Sequence, residues 1–311
     1  MSGSPYKGRS RNRISGGFFS YDNEVIITPG ERMSDLLNVI SASDKRRNLL
    51  ILLNSGPKEW DEIKQTLRVT STGMLPQVKI LEEEYLIERD GRKFSLTPMG
   101  RVLTAHMEPL IRTMEVFDKH KKFWNEHNIE VLPHDILLHI RELGNYQIIE
   151  NSDEEIFDIN IFLKNISNSK VIKGISHTVH PRYPNFFLNL AKKGVESHLI
   201  LTQGVFKVVK EKYRDLLEEW LKCDKANLYV QKHDIKFSFV VSDSYFSISL
   251  FYNNGVFDSK NDCVSYDASA RRWGERIFSH YIKLSEKICS VENLYPDKLY
   301  KPVKVSENDL A

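Results

Sequence analysis

The chain has 311 residues, 41% of them hydrophobic and 11% aromatic, with a formal net charge of +2. That length and apolar content exclude global disorder and favour two domains over one small module. No apolar run approaches the roughly 18 residues of a membrane span. The polar, basic start lacks the apolar segment of a secretory signal. Three separated cysteines, Cys223, Cys263 and Cys289, fit a reducing cytoplasm better than a disulfide framework or a CxxC zinc site. A cytoplasmic protein without cofactor, metal or membrane partner is expected.

Charge is unevenly spread. Residues 1–124 hold 20 Lys and Arg against 16 Asp and Glu, whereas residues 125–311 hold 24 against 26. Residues 1–30, with Lys7, Arg9, Arg11 and Arg13 among Gly and Ser, read as a basic flexible tail. Leu36, Leu37, Val39 and Ile40 then suggest a short helix. Ser43-Asp44 supply cap chemistry for a second, apolar helix from Lys45 to Asn54, stopped by Gly56-Pro57. Trp60, Ile63 and Leu67 mark a third helix. A fourth is expected from about Thr72 to Glu84, with Met74, Val78 and Leu81 inward and Pro76 within its first turn.

Asp90-Gly91 reads as a two-residue hairpin turn, which pairs Arg89 with Arg92, Ile87 with Phe94 and Tyr85 with Leu96. Thr97-Pro98 opens a long helix whose Leu103, Met107, Leu110, Met114 and Phe117 step by 4, 3, 4, 3, a heptad seam suited to dimerisation. Pro109 should kink it. Packing of the same seam within one protomer is the alternative.

Three helices, a turn, a fourth amphipathic helix and a hairpin describe a winged helix-turn-helix. Thr72, Gly73, Pro76, Gln77 and Lys79 occupy the outward face of the fourth helix, with Arg68 and Ser71 at its entry. Gln suits adenine edges in the major groove, and a helix amino end suits phosphate. Glu82, Glu83 and Glu84 repel phosphate at the far end. Arg89, Arg92 and Lys93 make a basic wing, and the like-charge pair Arg89–Arg92 costs stability that a polyanion would relieve. Double-stranded DNA is therefore the expected partner. A winged helix used only for protein contact is the rival.

Residues 128–134 read as a linker. Beyond it, β-rich runs at Tyr146–Glu150, Lys170–Ser176, Glu196–Thr202, Asn227–Gln231, Phe237–Val241 and Tyr245–Phe251 alternate with helices near Ile156–Ile166, Asn185–Lys193 and Gly204–Leu221. A last long helix runs from Ala268 to about Cys289. The pattern suggests an α/β domain on a mostly parallel sheet.

Ser43-Asp44-Lys45-Arg46-Arg47-Asn48-Leu49-Leu50, Leu81-Glu82-Glu83-Glu84-Tyr85-Leu86-Ile87 and Phe94-Ser95-Leu96-Thr97-Pro98-Met99-Gly100 resemble ArsR-type winged-helix regulators. Val240-Val241-Ser242-Asp243, Leu250-Phe251, Gly255-Val256-Phe257-Asp258 and Trp273-Gly274-Glu275-Arg276-Ile277-Phe278 extend the resemblance over residues 31–290. The narrower family is that of two-domain methanogenesis regulators of methanogenic archaea. It implies a homodimeric transcription factor with a signal-sensing C-terminal domain.

The fold class expected is an α+β winged helix-turn-helix N-terminal domain (31–100), joined by a long linker and dimerisation helix (101–127) to an α/β C-terminal sensor domain (135–290), with a tail at 291–311. Loops at strand ends of an α/β sheet usually bind ligands. Asp243, Asp258, Tyr266, Asp267 and Trp273 are thus candidates for an unknown small-molecule effector. Asp267 equally suits a helix N-cap, and Trp273 a core position. His177 and His180 follow another strand and fit pocket or plain loop roles. No nearby Cys or acid supports a metal there. The element order also resembles phospholipase-D-like domains, but Asp234-Ile235-Lys236 with Asp243 lacks the nucleophilic histidine, and His233 is displaced by one position. No catalytic residue is assigned.

Overall fold

The computed structural model describes residues 35–150 and 159–291, so the expected basic tail at 1–30 and the C-terminal segment after 291 lie outside the described residues. The chain divides into two compact units, Met1–Thr104 and Ala105–Ala311.

In the first unit, α1 (Asp35–Ser41) precedes α2 (Asp44–Leu53), whose N-cap Ser43 accepts a hydrogen bond from the Arg46 amide. A short strand β1 (Lys58–Glu59) leads into α3 (Trp60–Leu67), and α4 (Ser71–Glu83) follows a turn at which Arg68 takes a left-handed φ of 52°. Leu49, Leu50 and Leu53 of α2, Ile63 of α3, and Met74, Val78 and Leu81 of α4 are all buried. Burial of such side chains stabilises by roughly 1.5–3 kcal/mol each. Strands β2 (Ile87–Asp90) and β3 (Lys93–Leu96) complete a three-stranded sheet in the order β1-β3-β2. This sequence of helices and strands is the one expected of a winged helix-turn-helix.

Two local expectations need correction. Pro76 is the sixth residue of α4, in the second turn rather than the first. Its missing N–H leaves the Thr72 carbonyl without its normal helical partner. The hairpin is paired two residues further along than expected: Arg89 faces Phe94, Asp90 faces Lys93 and Ile87 faces Leu96, so Arg89 does not face Arg92. The loop is Gly91-Arg92, with Gly91 at φ 58° in the first loop position, where a type II′ turn wants glycine. A shift of two keeps every side chain on its own face, so the apolar pattern could not choose between the registers.

Helix α5 spans Pro98–Lys119. In the second unit, α6 (Lys121–Glu126) and α7 (His134–Leu137) precede β4 (Tyr146–Glu150). Then follow α8 (Ile159–Ile166), β5 (Val171–Ser176), α9 (Tyr183–Lys192), β6 (Glu196–Thr202), α10 (Gln203–Lys212), α11 (Arg214–Leu221) and β7 (Ala226–Gln231). Strands β8 (Phe237–Ser242), β9 (Phe246–Leu250) and β10 (Asn261–Ser265), helix α12 (Ala268–Ile282) and β11 (Ser285–Ile288) finish the unit. The eight strands order as β11-β7-β6-β5-β8-β9-β10-β4.

Only β5–β6 and β6–β7 pair in parallel; every other neighbouring pair is antiparallel, so the sheet is mixed rather than mostly parallel. The expected helix Gly204–Leu221 breaks at Tyr213, where φ is −134°. The last helix stops at Ile282, and β11 replaces its expected end. Residues 128–134 are not a free linker. Leu132 is buried in the core, and the Asn128 amide donates to the Phe251 carbonyl at 2.9 Å.

The sheet is covered on both faces. One face packs Phe237, Phe239, Val241, Phe246 and Ile248 against Trp273, Ile277 and Phe278 of α12 and against Ile136 and Ile140. The opposite face packs against α8–α11. No helix among the described residues is long and apolar enough to cross a membrane.

Gly274 and Gly100 each sit at a close approach. A Cβ on Gly274 would fall 2.7 Å from the Phe246 ring, and one on Gly100 would fall 1.9 Å from the Leu86 carbonyl oxygen. Backbone cannot yield as a flexible side chain does, so Gly100 fixes α5 against the start of the wing. Gly100→Ala is expected to destabilise the first unit by about 1–3 kcal/mol. Calorimetry should show a lowered melting temperature; an unchanged one would contradict this packing.

Candidate nucleic-acid face and ligand cavity

The amino end of α4 is built from the residues around it. Thr70 is the N-cap, its hydroxyl accepting from the Gly73 amide at 3.3 Å and lying 3.3 Å from the Thr72 hydroxyl. Lys45 of α2 reaches across to the Gly73 carbonyl at 3.3 Å. This long-range contact brings Lys45 and Thr70 to the candidate face, and local sequence pattern gave no sign of it. Arg68, Thr72, Pro76 and Lys79 are exposed; Ser71 is half-buried, its hydroxyl accepting from the Trp60 indole at 3.4 Å.

Gln77 is placed differently from expectation. It is half-buried, and its Oε1 accepts from Arg46 at 2.7 Å and from the Ser43 hydroxyl at 3.2 Å. Bidentate reading of adenine needs that oxygen free. In this arrangement Gln77 ties α4 to α2 through the buried Arg46, which also donates to the Val39 carbonyl. On the wing, Arg89, Arg92 and Lys93 are all exposed. Arg89 donates to the Gly91 carbonyl at 3.0 Å and lies 5.4 Å from the Phe94 ring centroid, so the turn itself holds it.

Along α5, Leu110 and Met114 are exposed, while Leu103, Met107 and Phe117 are half-buried. Phe117 packs edge-on to Trp124 at 5.8 Å, within its own domain. Met99 at 41% exposed, Val102 at 60%, Leu110 at 60% and Met114 at 54% are the large apolar groups left open on this helix. Of the expected seam, only Leu110 and Met114 are therefore open.

The seven candidate effector residues do not form one site. The Asp243 carboxylate accepts from the Lys170 amide just before β5, whereas the His177 amide just after β5 donates to the Ser238 hydroxyl. The whole of β5 separates the two residues, about 20 Å at ~3.3 Å per residue. Tyr266 belongs to the Asp243 end, with its ring 5.6 Å from Tyr245. Asp267 accepts from the Asn145 amide at 2.7 Å; it stands at the N-cap of α12 without a side-chain cap bond. Trp273 is 1% exposed and donates to the Ile136 carbonyl at 2.9 Å, so it is core and lines no pocket. Lys236 and Asp243 flank β8 at its two ends, so they do not converge as phosphodiester chemistry requires.

The other end, at the carboxyl ends of β5 and β6, has a cavity of about 320 Å³ between the sheet and α8–α11. His180 and Asp258 line it, and His177 lies beside it against Phe251 and Phe257. Burial and the nearby Arg182 hold the His180 imidazole below its ordinary pKa. Asp258 is buried. Burial alone would raise its pKa, but hydrogen bonds from Asn261, the Lys260 amide and His127 outweigh that and lower it. His127 Nε2 lies 2.9 Å from Asp258, its ring stacked on Tyr252. Ser238, Ser247, Ser249 and Asp262 line it from β8–β10, and Ser176, Thr178 and Ser259 add further polar groups. Asp262 is fully enclosed, its Oδ1 accepting from Ser249 at 2.9 Å, and burial pushes its carboxyl up to about 6.

Residues 34–115 match the model for the N-terminal domain of methanogenesis regulatory protein FilR1, and residues 158–284 match the model for its middle domain. The chain belongs to the FilR1 family. It is 22% identical over 259 residues to the methanogenesis regulatory protein FilR1 of Methanothrix harundinacea (strain 6Ac), covering 81% of this chain and 58% of that one. It therefore spans less than two thirds of that relative's length. The solved structure of TrmBL2, described as an archaeal chromatin protein with a novel mode of DNA binding, aligns with a TM-score of 0.38 at 14% identity, over 78% of this chain and 92% of that one.

The motifs that carried the resemblance to the FilR1-type family do structural work in this member. Trp273 anchors α7 to α12, Gly274 lets α12 lie close on the sheet, and Glu275 pairs with Lys173 at 2.5 Å. Sequence reasoning missed Asp262 and the serines. Ser238, Ser247 and Ser249 alternate with apolar residues, a pattern that solvent-facing strand positions share, and no strand was expected at Asn261–Ser265.

The raised carboxyl of Asp262 makes its ionised form a cost to the folded state. Stability is expected to fall as pH rises from about 4 to about 6, by roughly 2–3 kcal/mol, and to level above that. Asp262→Asn should raise the melting temperature at pH 7.5 and do much less at pH 4. Equal effects at both pH values would contradict a buried carboxylate at this position.

Proposed function

We propose that this FilR1-family chain is a sequence-specific, homodimeric DNA-binding transcriptional regulator, modulated by a small ligand in the second unit. The observation that carries the DNA reading is the exposed group at the entry to α4. Arg68, Thr72 and Lys45 surround the positive end of the helix dipole, and Arg92 and Lys93 extend from the wing. Glu82–Glu84 lie at the other end of α4, so only the amino end suits a duplex. The opened Thr72 carbonyl and hydroxyl add polar groups there, whereas Gln77 serves as a strut for the helix.

Exposed Leu110 and Met114, one turn apart on α5, support pairing of two chains, since large apolar groups gain from mutual burial. The ligand reading rests on the cavity at the strand ends. A ligand alters DNA binding only if it binds two arrangements of the protein with different affinity.

Salt titration of duplex binding tests the DNA reading. Replacing Arg92 and Lys93 with Ala should lower the slope of log affinity against log salt by up to about 2. An unchanged slope would remove the wing from the interface. No duplex affinity even at low salt would favour a protein-contact module instead. Leu110→Asp is expected to give monomers by light scattering; a persistent dimer would place the interface elsewhere.

A further inference from the structure

The cavity beneath α8–α11 has a polar end and an apolar end. Its lining takes residues from six successive strands: Leu228 of β7, Leu201 of β6, Gly174 of β5, Ser238 of β8, Ser249 of β9 and Asp262 of β10. Five steps between strands at ~4.8 Å give a reach of about 24 Å. The space, with a volume of about 320 Å³, therefore runs across the sheet.

At the β6–β7 end the walls are Leu201, Val205, Val209, Leu217 and Trp220. At the β8–β10 end they include Ser238, Ser247, Ser249, Asp258 and Asp262. Gly174 lies in between, on the central strand, and offers no side chain. A Cβ there would meet the Phe239 carbonyl at 3.1 Å, Leu199 at 3.7 Å and Val240 at 3.8 Å, so a larger side chain must project into the cavity.

The two ends differ in what their buried polar groups lack. The Trp220 Nε1, on a side chain 5% exposed, has no hydrogen-bond acceptor. Asp262 receives serine hydroxyls, but among the described residues no Lys, Arg or His forms an ion pair with it. Charge buried without a counter-charge is costly, and a second carboxylate, Asp258, adds to the negative field. A positive group at this end would offset both carboxylates.

We infer that the cavity binds an elongated amphiphile with a cationic, hydrogen-bond-donating head, such as a primary ammonium, on an unbranched apolar tail. The head pairs with Asp262 and the serines; the tail crosses over Gly174 toward Trp220. This ligand class rests on the ligand-responsive reading above. A carboxylate head is disfavoured because Asp262 and Asp258 repel it. A neutral alcohol satisfies the serines but leaves Asp262 without a counter-charge.

Titration of the full chain with n-decylammonium, decanoate and decanol, each below its micellar range, tests the proposal by calorimetry. The ammonium should bind at least about tenfold tighter than the other two, because charge-assisted bonds are the stronger ones. Each added CH₂ should tighten binding about fourfold until the tail outgrows the cavity. Gly174→Leu should abolish binding, and Asp262→Asn should bring the ammonium-to-alcohol preference close to one. Decanoate binding as tightly as the ammonium would overturn the proposal, as would ammonium binding that survives Gly174→Leu.

If Gly174→Leu does not fold, the chain-length series decides: affinity that never levels with tail length marks detergent-like binding and overturns the site. A parallel duplex titration separates this claim from the regulator reading. Ammonium binding that leaves duplex affinity unchanged supports the site and contradicts its sensing role. Duplex binding without any ammonium binding overturns the ligand class and leaves DNA recognition standing.

Discussion

Helix α12 lies on the sheet through Gly274, where a single added methyl would strike Phe246 and Val241. That face is sealed by aromatic packing of Trp273, Phe246 and Phe239. The opposite face of the same strands carries Ser238, Ser247, Ser249 and Asp262, although helices cover it too. A covered sheet face is normally apolar, since a buried hydroxyl or carboxylate is costly unless it is hydrogen-bonded. The second unit therefore keeps polar groups where close packing would favour Val or Leu. The serines partly solvate Asp262, and a cavity remains between them and α8–α11.

Asp258 connects this hollow to the rest of its unit. Its carboxylate lines the cavity and also holds His127 at the end of α6, together with Asn261 and the Lys260 amide. The His127 ring stacks between Phe123 and Tyr252, and the Asn128 amide binds the Phe251 carbonyl. The segment expected to be a linker is thus fastened to the strand ends beside the cavity. A molecule that moved Asp258 would disturb bonds to α6 directly. In the first unit the comparable fastening is Arg46, buried between α1, α2 and α4 and bonded to Gln77. It fixes the tilt of α4 and leaves Thr72 and Arg68 outward.

What could be read from sequence follows from how local each signal is. The helices of the first unit announced themselves through Ser43 capping, the buried spacing of Met74, Val78 and Leu81, and the Gly56-Pro57 stop. The hairpin was legible as a hairpin, but not in register, because a shift of two leaves the apolar face unchanged. In the second unit most strands stood where their β-branched runs placed them. Their directions did not, since antiparallel and parallel neighbours share the same composition. The candidate effector set scattered because strand ends look alike in sequence: Asp243 and His177 each border a β-run, yet at opposite ends of the sheet. Asp262 was hidden for a further reason. An acid within a short, weakly patterned strand gives no sign that helices from elsewhere in the chain will bury it.

The central claim is that a duplex is read by α4 of two paired chains. Selection from a random pool of double-stranded oligonucleotides by the full-length chain tests it most directly. The account predicts enrichment of a two-fold symmetric site whose half-sites lie one helical turn apart, about 34–36 Å, or a multiple of it. A pool that stays random after repeated rounds, with retention governed only by length and salt, would contradict it.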